Sequence, residues 1–258
     1  MDGLGERLRR KLEKYQLRYY YKAHPHNINP IKYLRLIREA RMIAELKQHP
    51  ELYRLLNRVI AQSDSTGCGY GDYAAQYQTV TRLEPECILE CGSGISSCVI
   101  AFALKERFER TGFKARFVSM EENKFYYEQI VRIFPEELAE FVEFVRSDRV
   151  EHWYGDYRRY QGCHYADVPK LPYDFVFIDG PKHRDSPDAQ KCFDADFIDV
   201  LLASNREVRG LLDQRIATYR TFKELIPGAA IRYNPIEKLT RIDAADRSAL
   251  RKDLLLDD

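Results

Sequence analysis

From Cys87 onward, the chain alternates short apolar runs with longer helix-forming stretches, and this alternation constrains its fold more than any other feature. The apolar runs lie at 87–89, 115–120, 141–145, 173–178 and 208–212, with a late run at 229–233, and helix-forming stretches at 97–110 and 124–134 separate the first three. Strands separated by helices pair in parallel, because a parallel crossover needs a dozen or more residues. The pattern therefore predicts an α/β fold with a doubly wound, mostly parallel sheet. Ligands bind such a sheet at the carboxyl ends of its strands.

The first 62 residues have a different pattern and predict an N-terminal helical segment. Helices are expected over 4–22, 31–48 and 50–61, and the two prolines of the run 24–30 separate the first from the second. The polar and glycine-rich run 63–71 predicts a loop. We therefore expect a helical segment over 1–62 and an α/β domain over 63–258, with a helix over 72–83 leading into the first strand.

The near-neutral net charge of +1 hides an asymmetry between these two parts. Residues 1–60 contain 14 lysines and arginines against 6 acidic residues, whereas the remainder contains 27 against 34. Basic helices of this kind can contact phosphate groups of a nucleic acid, or they can simply present a solvated face. They are also candidates for a homodimer interface or for a lid over a substrate.

The composition excludes several classes of protein. With 45% hydrophobic and 31% charged residues, the chain is not intrinsically disordered. No apolar run approaches the roughly 20 residues that span a bilayer, and the first residues lack a signal-peptide pattern, so we expect a cytoplasmic protein without a membrane span. The six cysteines form no C-x-x-C pair, which favours reduced, buried thiols over a zinc or redox site.

The end of the first strand carries the pattern of a ligand-binding turn. Here the chain reads Glu90-Cys91-Gly92-Ser93-Gly94. Gly92 and Gly94 allow a tight turn and a close approach of the backbone to a ligand that a Cβ atom would exclude. The carboxylate of Glu90 suits a cationic amino group, and Ser96 and Ser97 can cap the helix that follows.

Two further strand ends carry acidic residues. Glu121, with Glu122 as the second choice, follows the second strand and can accept hydrogen bonds from both hydroxyls of a ribose. Asp179 closes the strand at 173–178 and is followed by Gly180-Pro181. Each signal is common on its own, but their order along the chain is typical of a site for a nucleoside-type cofactor.

These motifs resemble those of the class I S-adenosylmethionine-dependent methyltransferases. The chain is similar in particular to the branch that reads E-x-G-S-G-x-S at the first motif and D-G-P after the fourth strand. The resemblance covers about residues 72–233 and implies a seven-stranded, Rossmann-like sheet with S-adenosylmethionine as cofactor. Many members have a third glycine at the position of Ser96, where a small hydroxyl residue should be tolerated.

The resemblance also implies roles for individual residues. Gly92, Ser93 and Gly94, with Ser96 behind them, would pack against the methionine part of the cofactor, and Glu90 would hold its amino group directly or through water. Glu121, or Glu122, would bind the ribose. Ser147 and Asp148, after the third strand, would lie near the adenine, and Asp179 would face the site of methyl transfer.

Methyl transfer is an in-line displacement, and it needs a base only when the acceptor is protonated. Asp179, Lys182 and His183 are the candidates for this catalytic role. In catechol-type O-methyltransferases, which share the implied fold, a divalent cation takes part. Asp179, Asp213 and Gln214 could supply its oxygen ligands here, but the adjacent Arg215 provides a competing cation, and we expect no metal.

The resulting prediction is an enzyme that methylates a hydroxyl group of a small molecule or glycan. One alternative is a nucleic-acid methyltransferase that uses the basic N-terminal helices, although no N/D-P-P-Y/F motif follows the fourth strand. Another is a non-catalytic module that binds S-adenosylmethionine. A nicotinamide-dependent oxidoreductase would need glycine at the position of Ser97.

Overall fold

A computed structural model describes residues 30–64, 69–155, 159–183 and 192–255. Its helices are α1 (Pro30–Leu46), α2 (Pro50–Gln62), α3 (Tyr70–Leu83), α4 (Ile95–Thr111), α5 (Lys124–Ile133), α6 (Asp196–Ala203) and α7 (Ile216–Leu225), with short 3-10 helices at Glu136–Phe141, Arg247–Ala249 and Lys252–Leu255. Its strands are β1 (Cys87–Cys91), β2 (Arg116–Glu121), β3 (Glu143–Arg146), β4 (Arg149–Tyr154), β5 (Tyr160–Tyr165), β6 (Phe175–Ile178), β7 (Phe193–Asp194), β8 (Val208–Asp213), β9 (Ile231–Asn234) and β10 (Leu239–Ala245).

Seven of these strands form one sheet in the order β3-β2-β1-β6-β8-β10-β9. The first five of this order pair in parallel, whereas β10 runs antiparallel to both of its neighbours. The chain moves outward from β1 to β3 on one side and then returns to β6 on the other, so the strand order reverses at β1. A ligand crevice is expected at that reversal. The predicted doubly wound, mostly parallel sheet is therefore confirmed.

The sheet is covered on both faces, which explains its continuous apolar strands. Alternate residues of β1 point to opposite sides: Ile88 packs in one core cluster, with apolar residues of α2, α3 and α4, and Leu89 packs in the other, with α6 and α7. Five described cysteines are buried thiols, and Cys87, Cys91 and Cys98 belong to these two clusters. None of the described helices is both long and apolar enough to cross a membrane.

The described N-terminal helices pack directly on the α/β domain. Leu52 and Leu56 of α2 are fully buried in the same cluster as Ile88. The guanidinium group of Arg38 in α1 donates a 2.8 Å hydrogen bond to the carbonyl oxygen of Gly71. The predicted helices over 31–48 and 50–61 correspond to α1 and α2, while the predicted helix over 4–22 lies outside the described residues. The boundary between 62 and 63 stays a prediction.

A second, three-stranded sheet of order β4-β5-β7 was not foreseen from the sequence. Its strands β4 and β5 follow β3 in the chain and its strand β7 follows β6, with β4 and β5 antiparallel and β5 and β7 parallel. Its last strand has only two residues, Phe193 and Asp194. Arg215 donates hydrogen bonds both to Asp194 of this small sheet and to Asp179 at the end of β6, so the small sheet contributes to the surroundings of the site.

Candidate functional site

The carboxyl ends of β1, β2, β6 and β8 meet at one edge of the main sheet. The strand register places Cys91 beside both Met120 and Ile178, and Ile178 beside Leu212, so the residues that follow these strands converge. They surround a cavity of about 230 Å³. Its lining includes seven of the predicted site residues: Gly92, Ser93, Gly94, Glu121, Glu122, Asp179 and Lys182. A larger cavity of about 360 Å³ lies elsewhere, among α2, α4 and the 3-10 helix Glu136–Phe141, and includes none of these strand ends.

The two glycines of the β1 turn serve different purposes. Gly92 has a φ of +101°, and a Cβ atom there would lie 2.8 Å from the backbone carbon of Asp179 and from the backbone nitrogen of Gly180. Close approach to the protein's own β6 turn therefore requires glycine at this position, while the predicted close approach of Gly92 to a ligand stays a prediction. At Gly94 a Cβ atom would meet only the Ser96 hydroxyl oxygen, at 3.9 Å. The space beside Gly94 is open to the cavity, so this is the glycine whose missing side chain leaves room for a ligand.

Glu121 and Glu122 place two adjacent carboxyl groups on the cavity. Glu121 is 6% exposed and accepts a 2.9 Å hydrogen bond from the backbone amide of Asn123. Burial and the neighbouring Glu122 raise the pKa of Glu121 to about 8. Glu122 accepts hydrogen bonds from the Lys182 amide at 3.2 Å and from the Tyr165 hydroxyl at 3.3 Å. Both carboxyl groups thus accept hydrogen bonds from the protein's own groups and line the cavity.

Glu90 lies beneath the glycine turn and does not line the cavity. Its Oε2 atom accepts hydrogen bonds from Ser97 at 2.5 Å and from Ser119 at 2.6 Å, while its Oε1 atom is buried and has no hydrogen-bond partner among the described residues. Burial raises the pKa of Glu90 to about 7, and hydroxyl groups that include Ser96 oppose the rise. Ser96, itself 5% exposed, therefore contributes to this layer beneath the cavity.

Asp179 faces the cavity beside the buried guanidinium group of Arg215. Nη2 of Arg215 donates to the Asp179 carbonyl oxygen and lies 3.8 Å from its carboxylate. Burial within the cleft raises the pKa of Asp179 to about 7, and the positive charge of Arg215 opposes the rise. The carboxylate is 35% exposed, so it remains accessible from the cavity.

The residues after β3 are not brought to this cavity. Ser147 is buried, and its hydroxyl accepts a 2.9 Å hydrogen bond from the amide of Asp167. The Asp148 side chain is 78% exposed and lies 3.2 Å from Arg146. Neither residue lines the cavity beside Gly94.

The residues considered for a metal do not fit one. Gln214, in a left-handed conformation with φ of +48°, accepts a 3.2 Å hydrogen bond from Lys238 instead of facing Asp179. Asp213 is 5% exposed and does not line the cavity. The guanidinium group of Arg215 stands beside Asp179, where a cation would be needed. Among the residues that the structure describes, no cluster of three or more His, Cys, Asp or Glu side chains could hold a metal ion.

The two remaining base candidates are adjacent in the chain but differ in their surroundings. Lys182 lines the cavity, and its carbonyl oxygen accepts a 2.7 Å hydrogen bond from Arg149. His183 does not line it: Nε2 of its ring lies 3.1 Å from the carboxylate of Asp194. His183 is 15% exposed and Asp194 is fully buried.

Part of the cavity lining was not predicted from the sequence. Ser63 and a set of α5 residues complete it, namely Tyr126, Gln129, Ile130 and Ile133. Gln129 links the two parts, because its amide donates a 2.6 Å hydrogen bond to the carboxylate of Asp64. The sequence contains a signal for these lining residues. Positions 126, 130 and 133 have the spacing of one helix face, and Ser63 begins the polar run 63–71.

The fold is similar to that of known methyltransferases. A methyltransferase from Podospora anserina, PaMTH1, crystallised with bound SAH, superposes with a TM-score of 0.51 at 13% sequence identity, over 76% of this chain and 88% of that chain. An O-methyltransferase from Bacillus cereus in complex with SAH has a TM-score of 0.44 at 17% identity, over 74% of this chain and 89% of that chain. No protein-family model and no curated protein sequence matches the chain. The likeness to PaMTH1 establishes that this chain has the Rossmann-like α/β fold of that methyltransferase.

Proposed function

We propose that this chain is an S-adenosylmethionine-dependent methyltransferase of the class I, E-x-G-S-G-x-S type. The open space beside Gly94, in the cavity that Glu121 also lines, is the observation that carries the proposal. Gly94 has a φ of −177°, which any residue can adopt, so the backbone does not require glycine there. The protein offers no neighbour that a Cβ atom would strike. A ligand that lies against this turn accounts for the glycine.

The residues present suit the parts of this cofactor. The methionine part would lie against Gly92, Ser93 and Gly94, and the ribose hydroxyls would donate to Glu121. Glu90 has one buried oxygen without a described partner, which suits a nearby cationic amino group. When bound, S-adenosylmethionine supplies an electrophilic methyl group on a sulfonium.

We further propose that the acceptor is a hydroxyl group of a small molecule or glycan. A hydroxyl must lose its proton as it attacks, and a base whose pKa lies near the working pH does this best. Asp179 has a pKa of about 7 and faces the cavity. It can therefore accept that proton.

The charges of the described N-terminal helices do not favour a nucleic-acid acceptor. Arg35 donates to the carbonyl oxygen of Pro235, and Arg38 contacts Gly71 and Asp72. Arg58 is paired with Glu137 at 2.6 Å. Because these guanidinium groups bind the protein itself, they do not form an unpaired phosphate-binding stripe.

Calorimetry with S-adenosylhomocysteine tests the cofactor site directly. We expect the parent chain to bind it with a Kd in the micromolar range, on the order of −8 kcal/mol, and Gly94→Val to lose at least about tenfold in affinity because its side chain enters the open space. Gly112→Asn is the matched control. Gly112 has a φ of +74° at the end of α4 and no atom within 4 Å, so asparagine should be accommodated there.

An absence of binding to the parent, or equal affinity of parent and Gly94→Val, would contradict the assignment of this cavity. Thermal unfolding of each variant establishes that the fold is retained. A mass-spectrometric survey of phenols, sugars and RNA with isotope-labelled methyl donor then distinguishes the acceptors. Labelling of RNA alone would contradict the hydroxyl-of-a-small-molecule assignment.

A further inference from the structure

Asp194 is a buried acid in contact with Arg215 of the cavity lining, and no sequence motif indicates it. It is fully buried in β7 and lies between three hydrogen-bonding side chains. Its Oδ1 atom accepts from Nη1 of Arg215, and its Oδ2 atom accepts from the Thr218 hydroxyl at 2.5 Å and lies 3.1 Å from Nε2 of His183. The amide of Asp194 donates in turn to the Thr218 oxygen, at 3.1 Å. A buried carboxylate with this many donors has a fixed orientation.

The same carboxylate contacts two groups, Arg215, which lines the cavity, and His183, which does not. Arg215 is held on its other side by the carbonyl oxygens of Asp179 and Pro181, the latter at 2.9 Å. Its guanidinium group therefore joins the turn after β6 to β7. A backbone hydrogen bond of 3.0 Å from the Cys192 amide to the His183 carbonyl brings His183 to the same place.

The contact with Asp194 also determines which nitrogen of His183 carries the proton. Arg215 and Thr218 donate to the two oxygens of this carboxylate, so it acts as an acceptor and Nε2 of His183 is the donor. In the neutral ring Nδ1 is then the acceptor. A base that is held by a buried acid in a single tautomer has its lone pair in a defined place, as in other acid–histidine pairs.

We propose that Asp194 is a positioning residue of this site, which holds His183 in the Nε2–H tautomer, with Nδ1 as a proton acceptor, and holds Arg215 beside Asp179. The role in methyl transfer rests on the proposed function. The tautomer of His183 and its dependence on Asp194 do not.

The chain contains its own control in a second histidine–aspartate pair. Nδ1 of His164 in β5 lies 2.6 Å from the carboxylate of Asp199 in α6, which also accepts a 2.8 Å hydrogen bond from the Tyr154 hydroxyl. None of these residues lines the cavity. Because this contact uses Nδ1, the two histidines are expected to differ in tautomer.

Nitrogen-15 NMR of the imidazole rings, at a pH where they are neutral, tests the proposal without an acceptor. His183→Gln identifies the His183 signals. We expect these signals in the parent to report the Nε2–H tautomer, and in Asp194→Asn to move toward a mixture of both tautomers. Asp199→Asn should leave them unchanged while it shifts the signals of His164.

Calorimetry with S-adenosylhomocysteine on the same samples separates the two proposals. Asp194 does not line the cavity, so Asp194→Asn should keep the Kd within about threefold of the parent. With an acceptor from the survey, the same variant should lower kcat by at least tenfold and leave the KM for S-adenosylmethionine unchanged.

A parent His183 in the Nδ1–H tautomer would overturn the proposal, and so would His183 signals that do not respond to Asp194→Asn. The parent measurement needs no variant, so it stands even where Asp194→Asn fails to fold. A parent that shows the expected His183 tautomer but does not bind S-adenosylhomocysteine would reject the proposed function. The proposed role of Asp194 in holding His183 would stand.

Discussion

Three acids near the strand ends have pKa values close to neutrality, each for its own reason. Glu90 is completely buried beneath the glycine turn, and Glu121 combines burial with the adjacent charge of Glu122. Burial raises the pKa of Asp179, and the positive charge of Arg215 opposes the rise. Such a concentration of shifted carboxyl groups is typical of functional sites, because sites need charges that respond to a ligand. The acids of the exposed helix faces, such as Glu128, instead pair with lysines along the helix.

Glu121 should couple cofactor binding to the release of a proton. Its pKa of about 8 means that the carboxyl group is largely protonated at neutral pH. Ribose hydroxyls donate to the ionised form, so binding lowers this pKa, and the affinity for S-adenosylhomocysteine should rise with pH, by up to about tenfold per unit below the pKa, and level off above it. Calorimetry in buffers of different ionisation enthalpy counts the released protons.

Glu121→Gln is the control for that measurement, because it keeps the shape and removes the titration. It should bind more weakly than the parent and lose most of the pH dependence. A parent whose affinity is flat between about pH 6 and pH 9 would show that Glu121 does not accept the ligand's hydroxyls in its ionised form.

At the scale of elements, the strands of the parallel sheet could be predicted because they are buried on both faces. The run 87–89 is apolar throughout and 173–178 is apolar except for Asp174, so neither needs a partner strand to be recognised. Strand β1 continues two residues beyond the predicted run, to Cys91. Glu90 belongs to the strand and not to the turn, and its buried carboxyl group accepts a hydrogen bond from Ser119. Composition alone cannot distinguish those two situations.

The elements that the sequence did not predict owe their structure to distant partners. Strand β4 contains Arg149, Glu151 and His152 and is mostly exposed, and it becomes a strand by pairing with β5. Strand β7 has two residues and is fixed by β5 and by the side chain of Thr218. Asp194 was missed for this reason: its role depends on three residues far from it in the chain.

The packing of the β1 turn against the β6 turn leads to a prediction that separates the two glycines. Gly92→Ala places a Cβ atom 2.8 Å from the backbone of Asp179 and Gly180, at a φ of +101°. The Gly92→Ala substitution should lower the free energy of unfolding by about 1–3 kcal/mol. Gly94→Ala has neither problem and should change it by less than about 1 kcal/mol. Urea unfolding of both variants checks this, and equal losses would mean that the turns do not touch as described.

At the scale of the whole molecule, residues on both faces of the main sheet build the site. Ser97 and Ser119 reach Glu90 on the side of the sheet that packs against α4, whereas Thr218 of α7 reaches Asp194 on the other. Arg215 then connects the turn after β6 with β7 through hydrogen bonds to Asp179 and Asp194. The functional groups are thus held by rigid elements on each face, and a buried charge at the site is a cost to the stability of the entire domain.

That cost predicts how the stability of the unliganded protein depends on pH. Glu90 has a pKa of about 7 in the folded protein against an ordinary value of 4.5. Between these two values the folded state binds more protons than the unfolded state, so the free energy of unfolding falls as the pH rises from about 4.5 to about 7 and is constant with respect to Glu90 outside that window. Glu90→Gln retains an acceptor for the Ser97 and Ser119 hydroxyls but has no carboxyl group to ionise. Its free energy of unfolding therefore lacks this decrease with pH.

The difference in unfolding free energy between Glu90→Gln and the parent should therefore grow by on the order of 3 kcal/mol across this window. Urea unfolding at about pH 5 and pH 8 measures it. Glu128→Gln makes the same substitution on the exposed face of α5, beside Lys124, and corrects for the amide itself. A Glu90→Gln difference that stays constant with pH would mean that the Glu90 carboxyl group ionises in the folded protein as easily as in the unfolded chain, and that its unpartnered oxygen has a charge-compensating neighbour even without a ligand.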